Sequence, residues 1–170
     1  EFKLKKISEN EYAYDEPIAV NGEVGISLEV IDRMNKSKFK YDIYSIKLTI
    51  DNKTIYESRY NNIGFNEGYK VFSERDYSKH VYEGRSVYNL YNKYNLPKSS
   101  FVNRRENKPL KFDDKLIHKC EIIVSDFNKN TTKINFNLKS TNEYSTTFDV
   151  KVDEGLIIST HDSEVKDIDV

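Results

Sequence analysis

The sequence predicts an all-β fold, an immunoglobulin-like antiparallel sandwich, and three observations lead to this prediction. Apolar residues alternate with polar residues in several short segments, which is the period of a β-strand. Polar turns rich in Asp and Asn separate these segments. Helical periodicity is almost absent, although a long middle insertion has room for a short helix.

The first predicted strand lies in residues 22–30, where apolar and polar residues alternate. Alternation points successive side chains to opposite faces of a sheet. We therefore expect one face of this strand in the core and the other in solvent. The residues expected in the core are Val24, Ile26, Leu28 and Val30.

Two hairpins are predicted further along the chain. The first joins residues 43–50 to residues 54–60 through a short polar link, which is typical of a tight β-turn. The second joins residues 116–126 to residues 132–138. The turn at residues 126–130 contains Asp and Asn, which tolerate left-handed backbone and bond to their own turn.

Residues 61–111 form the middle insertion, which is less regular. Asp76 is a good helix N-cap and Gly84 can end a helix, so we expect a short helix between them; residues 69–72 are a candidate strand. Exposed tyrosines could stack on sugar rings or enter a protein interface, or they could cover the open end of the sandwich as a small satellite core. The four tyrosines in question are Tyr82, Tyr88, Tyr91 and Tyr94.

The predicted sandwich domain covers residues 22–139, with a different type of sequence on either side. Residues 1–21 are polar, and we expect a linker that ends in a short extended lead-in. Residues 140–170 become acidic and are expected to form an acidic tail, extra strands or the start of a following domain. Because the chain starts at Glu1 rather than Met, we expect it to be a fragment of a longer protein.

Composition and charge argue against several classes of protein. The 170 residues are enough for one domain with its own core. Lys and Arg number 27 against 28 Asp and Glu, and the basic residues are dispersed, so nucleic-acid binding is not expected. No run of about 18 apolar residues occurs, so we expect no membrane span. The single cysteine, Cys120, cannot form an internal disulfide.

No catalytic or metal site is predicted, and we expect no cofactor. His118 and Cys120 stand two residues apart on one strand face, but a metal ion would need further ligands and a catalytic pair a third orienting residue. Several oxygen-bearing residues lie at strand ends without the spacing of a calcium loop, and turn formation explains them. These residues are Asp32, Asp113, Asp114, Asp126 and Asn128.

Two stretches of the sequence resemble a known arrangement. The first contains residues 22–34, 41–48 and 51–56, with Asp-Arg-Met and Ile-Tyr-Ser-Ile as its most telling motifs. The second contains residues 112–118 and 122–130. Together they look like the immunoglobulin-like domain that follows the catalytic domain in lysostaphin/LytM-type zinc metallopeptidases of Bacteroidetes-like bacteria. Residues 65–69 and 76–77 are similar as well, so the match covers about residues 22–138.

The resemblance implies a periplasmic or cell-surface location and a parent enzyme that cuts peptidoglycan cross-links. Those peptidases hold zinc with a His-x-x-x-Asp motif and a His-x-His motif. Here Gly84 stands four residues after His80, and Cys120 stands two residues after His118, so no zinc ligand can be carried over.

We therefore expect a non-catalytic accessory domain of a bacterial cell-envelope protein. Its expected partner is the catalytic metallopeptidase domain of the same parent chain or another envelope protein, with peptidoglycan or another glycan as a further candidate. The alternative function is a surface module that binds glycans or proteins, as adhesins do.

Overall fold

The two predicted hairpins form the centre of the larger sheet in the computed structural model, which describes residues 4–33, 40–93, 97–106, 109–141 and 155–161. Strands dominate these ranges, as predicted, and the helical elements lie in the middle insertion. The strands are β1 (Lys5–Ser8), β2 (Glu11–Ala13), β3 (Ile18–Val20), β4 (Glu23–Glu29), β5 (Asp32–Arg33), β6 (Lys40–Tyr41), β7 (Ser45–Ile50), β8 (Lys53–Arg59), β9 (Val87–Asn89), β10 (Val102–Arg105), β11 (Leu110–Lys111), β12 (Ile117–Ser125), β13 (Thr131–Ser140) and β14 (Gly155–His161). A 3-10 helix (Phe65–Glu74) and helix α1 (Tyr77–Glu83) lie between β8 and β9.

The strands form two main sheets, so the predicted all-β sandwich is confirmed. The larger sheet has the order β1-β2-β13-β12-β7-β8-β10, with β3 also paired to β13. The smaller sheet has the order β11-β4-β14, with β9 also paired to β4, while β5 and β6 pair with each other. The larger sheet is mixed rather than purely antiparallel, because β13 runs parallel to β2 and β3.

The core lies between the two sheets. In the larger sheet, Leu48, Ile122 and Ile134 form one row across β7, β12 and β13, and all three are buried. They belong to the same apolar cluster as Ile26 and Leu28 of β4, which are fully buried. Burying one such side chain contributes about 1.5–3 kcal/mol, so these alternating residues supply the main driving force for folding.

Turn residues fix the registers of both hairpins. Asp51 and Asn52 join β7 to β8 with φ angles of +48° and +66°, a left-handed conformation that Asp and Asn tolerate better than most residues. The turn between β12 and β13 is closed by Asp126, whose carboxylate accepts hydrogen bonds from the backbone N and side-chain Nδ2 of Asn130 at 2.9 and 2.7 Å. Both predicted hairpins are thus present.

Both ends of the chain contribute strands to the sandwich sheets. Strands β1, β2 and β3 lie in the segment that we expected to be a lead-in, and Ile18 and Val20 of β3 are buried in the core. Strand β14 pairs with β4 over its whole length, so part of the acidic segment forms an extra strand. The alternating run at residues 148–152 lies outside the described residues.

Strand β4 differs from the prediction, because the face expected in solvent is also covered. Gly25, Ser27 and Glu29 alternate with the core residues of β4, and the middle insertion packs on them. The hydroxyl of Ser27 donates to the side chain of Asn89 at 3.0 Å, and both residues are buried. The sequence pattern shows only the apolar face of β4, whereas the cover on the other face comes from a segment about 60 residues away.

Candidate functional site

The helical insertion, which we define as residues 61–93, departs most from a plain sandwich. Helix α1 begins after Asp76, whose carboxylate accepts a hydrogen bond from the backbone N of Lys79 at 3.2 Å. It ends at Gly84, which adopts the left-handed conformation with φ +65°. The short helix expected between Asp76 and Gly84 is therefore confirmed. No helix in the described ranges is long and apolar enough to span a lipid bilayer.

The segment before α1 is a 3-10 helix rather than the candidate strand at residues 69–72. Its aromatic residues Phe65, Tyr69 and Phe72 are spaced four and three residues apart. In a 3-10 helix Tyr69 and Phe72, three residues apart, lie on the same side, whereas one face of a strand would need alternate positions. The strand interpretation of residues 69–72 is therefore wrong.

A buried ion pair anchors the end of the 3-10 helix to the larger sheet. Glu74 accepts a hydrogen bond of 2.7 Å from Nη1 of Arg105 on β10, and the two side chains are 0% and 3% exposed. The hydroxyl of Tyr56 on β8 lies 3.4 Å from the second carboxylate oxygen. Burial raises the pKa of Glu74 above its ordinary value, although the Arg105 charge opposes this effect. Neither charge is exposed to water, so removal of one side chain would leave the other charge buried without its partner.

Two further arginines attach the insertion to other parts of the sandwich. Arg75 pairs with Asp42 at 2.9 Å, and its guanidinium lies 4.9 Å from the ring centre of Tyr88. Arg85 forms a bidentate contact with Glu29 of β4, at 3.0 and 2.6 Å. The hydrogen bonds that Arg85 donates to Glu29 raise the pKa of Arg85. These pairs hold the insertion at a defined position on the sandwich.

Close packing holds the segment after α1 against β4. A Cβ atom on Gly25 would lie 2.3 Å from Cζ of Tyr91, so the ring of Tyr91 rests directly on the backbone of β4. Tyr88 is fully buried and its hydroxyl donates to Asp42 at 3.3 Å. Burial raises the pKa of the Tyr88 phenol. Tyr88 and Tyr91 are thus core residues.

The insertion also exposes apolar side chains to solvent. Of the twelve large apolar residues that are exposed in the described ranges, seven lie in the insertion, and we call these seven the exposed aromatic face. Phe65 is fully exposed, and the ring of Phe72 contacts those of Tyr77 and His80 at centroid distances of 6.3 and 5.7 Å. The members are Ile63, Phe65, Tyr69, Phe72, Tyr77, Val81 and Tyr82. Such a concentration of exposed apolar residues is typical of an interaction surface.

The four tyrosines suggested by the sequence do not share one environment. Tyr82 is 82% exposed and belongs to the exposed aromatic face. Tyr88 and Tyr91 are buried, so they present no face to a ligand and fit the alternative of a satellite core. Tyr94 lies outside the described residues. The sequence analysis did not single out Phe65, Tyr69, Phe72 and Tyr77, although their spacing is helical.

His118 and Cys120, which were considered for metal binding and catalysis, are engaged in structural contacts. Nδ1 of His118 lies 2.6 Å from Asp51 and Nε2 lies 3.0 Å from Asp114. Burial opposes protonation, but the hydrogen bonds with Asp51 and Asp114 outweigh it and raise the pKa of His118. Cys120 is buried, and burial raises the pKa of its thiol to about 12, which disfavours a reactive thiolate.

The residues considered for calcium do not form one group. Asp32, Asp126 and Asn128 line the same cleft, whereas Asp114 is bonded to His118. Within the described ranges, no group of three or more His, Cys, Asp or Glu side chains is arranged to hold a metal ion. No protein-family model, no curated protein and no solved structure matches the chain.

Proposed function

We propose that this chain is a non-catalytic interaction domain of a cell-envelope metallopeptidase, and that the exposed aromatic face binds the catalytic domain. One observation carries the proposal: an insertion that is anchored by buried ion pairs presents seven exposed apolar residues. The sheets of the sandwich need none of these seven residues for their core.

The composition of the exposed aromatic face suits a protein partner. Tyr and Phe are enriched at protein interfaces because they supply a large contact area with few rotatable bonds. Phe65 and Tyr69 are 105% and 71% exposed, so their burial by a partner would remove much apolar surface from water. The anchored insertion would lose little conformational entropy on binding, which favours affinity.

The choice of partner rests on the resemblance of residues 22–138 to the domain that accompanies lysostaphin/LytM-type peptidases. In this proposal the catalytic domain belongs to the same parent protein, acts on peptidoglycan in the periplasm or at the cell surface, and supplies the zinc ligands. The accessory domain then positions the catalytic domain.

A binding measurement with matched variants tests this proposal. The partner is the domain of the same gene that carries His-x-x-x-Asp followed by His-x-His, and titration calorimetry measures its affinity for the chain. The double substitution Phe65→Ala, Tyr69→Ala is expected to weaken binding at least about tenfold, or about 1.4 kcal/mol. Leu116→Ala is the control, because Leu116 is 61% exposed but lies outside the insertion.

The results separate the parts of the proposal. Equal affinities for the double variant and the wild type would exclude the exposed aromatic face as the contact surface. A parent gene without the two zinc motifs would remove the metallopeptidase as partner. Hydrolysis of purified peptidoglycan by the chain alone, abolished by a zinc chelator, would contradict the non-catalytic assignment.

A further inference from the structure

A second surface lies at one end of the sandwich, where several connections between strands meet. The residues before β7, those after β8 and the turn between β12 and β13 surround a cleft of about 730 Å³, which we call the loop-end cleft. Volumes of this order accommodate small organic ligands. A narrower cleft of about 240 Å³ shares Asp32, Ile43, Asp126 and Asn130 with it and extends between the two sheets.

Aromatic rings form much of the lining of the loop-end cleft. Tyr41, Tyr44, Tyr60 and Phe127 all contribute to it. Tyr44 and Phe127 meet edge to face, with ring centres 5.7 Å apart and an interplanar angle of 88°. Tyr41 and Phe127 are 42% and 80% exposed, so a ligand can reach their rings. Hydrogen bonds from the backbone N of Tyr44 to Ser125 and from that of Tyr60 to Tyr44 hold the lining in place.

The carboxylates around the loop-end cleft are all engaged in contacts. Asp42 pairs with Arg75 at 2.9 Å, and the Asp126 carboxylate accepts two hydrogen bonds from Asn130. Asp32 is also engaged in an interaction. Among the described residues, three carboxylates and the single guanidinium of Arg75 line the cleft, so its net charge opposes an anionic ligand. Carboxylate oxygens accept hydrogen bonds from hydroxyl groups, so a neutral ligand that carries hydroxyls suits this lining.

Polar groups for a neutral ligand remain at the rim and in the wall. The amide of Asn128 is exposed, and the Asp42 side chain is 62% exposed and can accept further hydrogen bonds. In the wall, Nε of Arg75 is buried without a hydrogen-bond partner among the described residues, so it is an unsatisfied donor. Apolar rings beside exposed hydrogen-bonding groups match the apolar faces and hydroxyl edges of a sugar.

We infer that the loop-end cleft binds a neutral saccharide. The inference goes beyond the proposed function and does not rest on it, because the exposed aromatic face and the loop-end cleft use different aromatic residues. The two surfaces adjoin at Ile63, which belongs to both. Glycan binding is thus assigned to Tyr41, Tyr44 and Phe127 rather than to the tyrosines of the middle insertion.

Titration of the chain with neutral trisaccharides tests the inference. The probes are an N-acetylglucosamine trimer and maltotriose, with trilysine as a cationic comparison. Because the chain contains 13 Tyr and no Trp, tyrosine fluorescence reports changes around these rings. Saturable binding of at least one trisaccharide is expected, with affinity reduced roughly tenfold by Phe127→Ala and by Tyr41→Ala. Tyr82→Ala is the matched control and should leave the affinity within about twofold.

The outcomes are distinct from those for the proposed function. Phe127 is 80% exposed, so its substitution should leave the fold intact, which a thermal melt can verify. Failure of both trisaccharides to bind would overturn the inference, as would preferential binding of trilysine or an equal loss in Tyr82→Ala. The double variant Phe65→Ala, Tyr69→Ala tests only the proposed function. Its loss of catalytic-domain binding has no bearing on the saccharide titration.

Discussion

The central sheet and the helical insertion are held in place by different forces. In the sheet, apolar residues such as Leu48 and Ile122 pack in rows between strands, and many contacts share the stabilisation. In the helical part of the insertion, residues 61–85, a few polar contacts such as Glu74–Arg105 and Arg85–Glu29 determine where the segment lies. Apolar packing loses stability gradually, whereas a buried ion pair fails when either partner is removed. The insertion therefore depends on fewer residues than the sheet does.

The largest effect is expected from Arg105→Met, which tests the insertion. This substitution leaves the buried carboxylate of Glu74 without its cation, so we expect the free energy of unfolding to fall by about 3–5 kcal/mol. Denaturant unfolding measures the change. Arg59→Met is the control, because Arg59 and Glu57 form an exposed pair at 3.9 Å, worth about 0–1 kcal/mol.

The double substitution Glu74→Leu, Arg105→Met sharpens this test. It removes both charges, so much of the stability lost in Arg105→Met should return. If Arg105→Met and Arg59→Met had the same small effect, the ion pair would not anchor the insertion.

The next largest effect is expected in the central sheet, from Ile122→Ala. Ile122 is fully buried between Leu48 and Ile134, so its truncation should lower the free energy of unfolding by about 3 kcal/mol. Ile123→Ala changes the same residue type on the opposite face of β12, where the side chain is only half-buried, and should lower it by about 1 kcal/mol. Similar losses for both variants would contradict the described orientation of β12.

A smaller effect is expected at the contact between the insertion and β4. Gly25→Ala places a Cβ against the ring of Tyr91, so the ring must move, at a cost of about 1–3 kcal/mol. Gly68→Ala is the control, since a Cβ on Gly68 meets no atom within 4 Å, and it should change stability by no more than about 0.5 kcal/mol. Thermal and denaturant unfolding of both variants measure the difference. An unaffected Gly25→Ala protein would show that Tyr91 does not rest on β4.

The smallest effect is expected from pH at His118. The pKa of His118 is raised in the folded protein. Its contribution to the free energy of unfolding is therefore complete below the ordinary pKa of 6.5 and is lost as the pH rises through the folded pKa. The pKa values of Asp51 and Asp114 are lowered, chiefly by the hydrogen bond with His118 and by that from the Leu116 backbone, respectively. The contributions of Asp51 and Asp114 to the free energy of unfolding are lost as the pH falls through their folded pKa values, below the ordinary pKa of 3.8.

Unfolding experiments between about pH 5 and pH 9 check this expectation. The wild type should lose up to about 1 kcal/mol relative to His118→Gln as the pH increases. Parallel pH profiles for the two proteins would rule out a contribution from the His118 contacts.

The sequence was most informative where neighbouring residues decide the structure. Alternation predicted β4, both hairpins were recognised from their turns, and Asp76 and Gly84 marked the ends of α1. Strands β1, β2 and β3 were not predicted to belong to a sheet, because each has only three or four residues. Strands β2 and β3 also depend on a partner far along the chain. The parallel pairing with β13 has no local signature.

The candidate site was less predictable, because burial in the insertion depends on distant contacts. Arg104 and Arg105 are adjacent in the sequence, yet only Arg105 is buried, since its partner Glu74 arrives from the 3-10 helix. Tyr82 and Tyr88 likewise look equivalent in the sequence, but pairing of β9 with β4 buries only the second. The loop-end cleft combines residues from separate segments of the chain, so no sequence motif identifies it.

The parallel pairing of β13 with β2 and β3 has a consequence for how the chain is made. Glu11 accepts a hydrogen bond from Asn135, 124 residues later, so the earliest strands meet their neighbour only after residue 140 has left the ribosome. Closing so long a loop carries an entropic penalty that slows assembly. Strands β2 and β3 are therefore synthesised long before the strand that secures them.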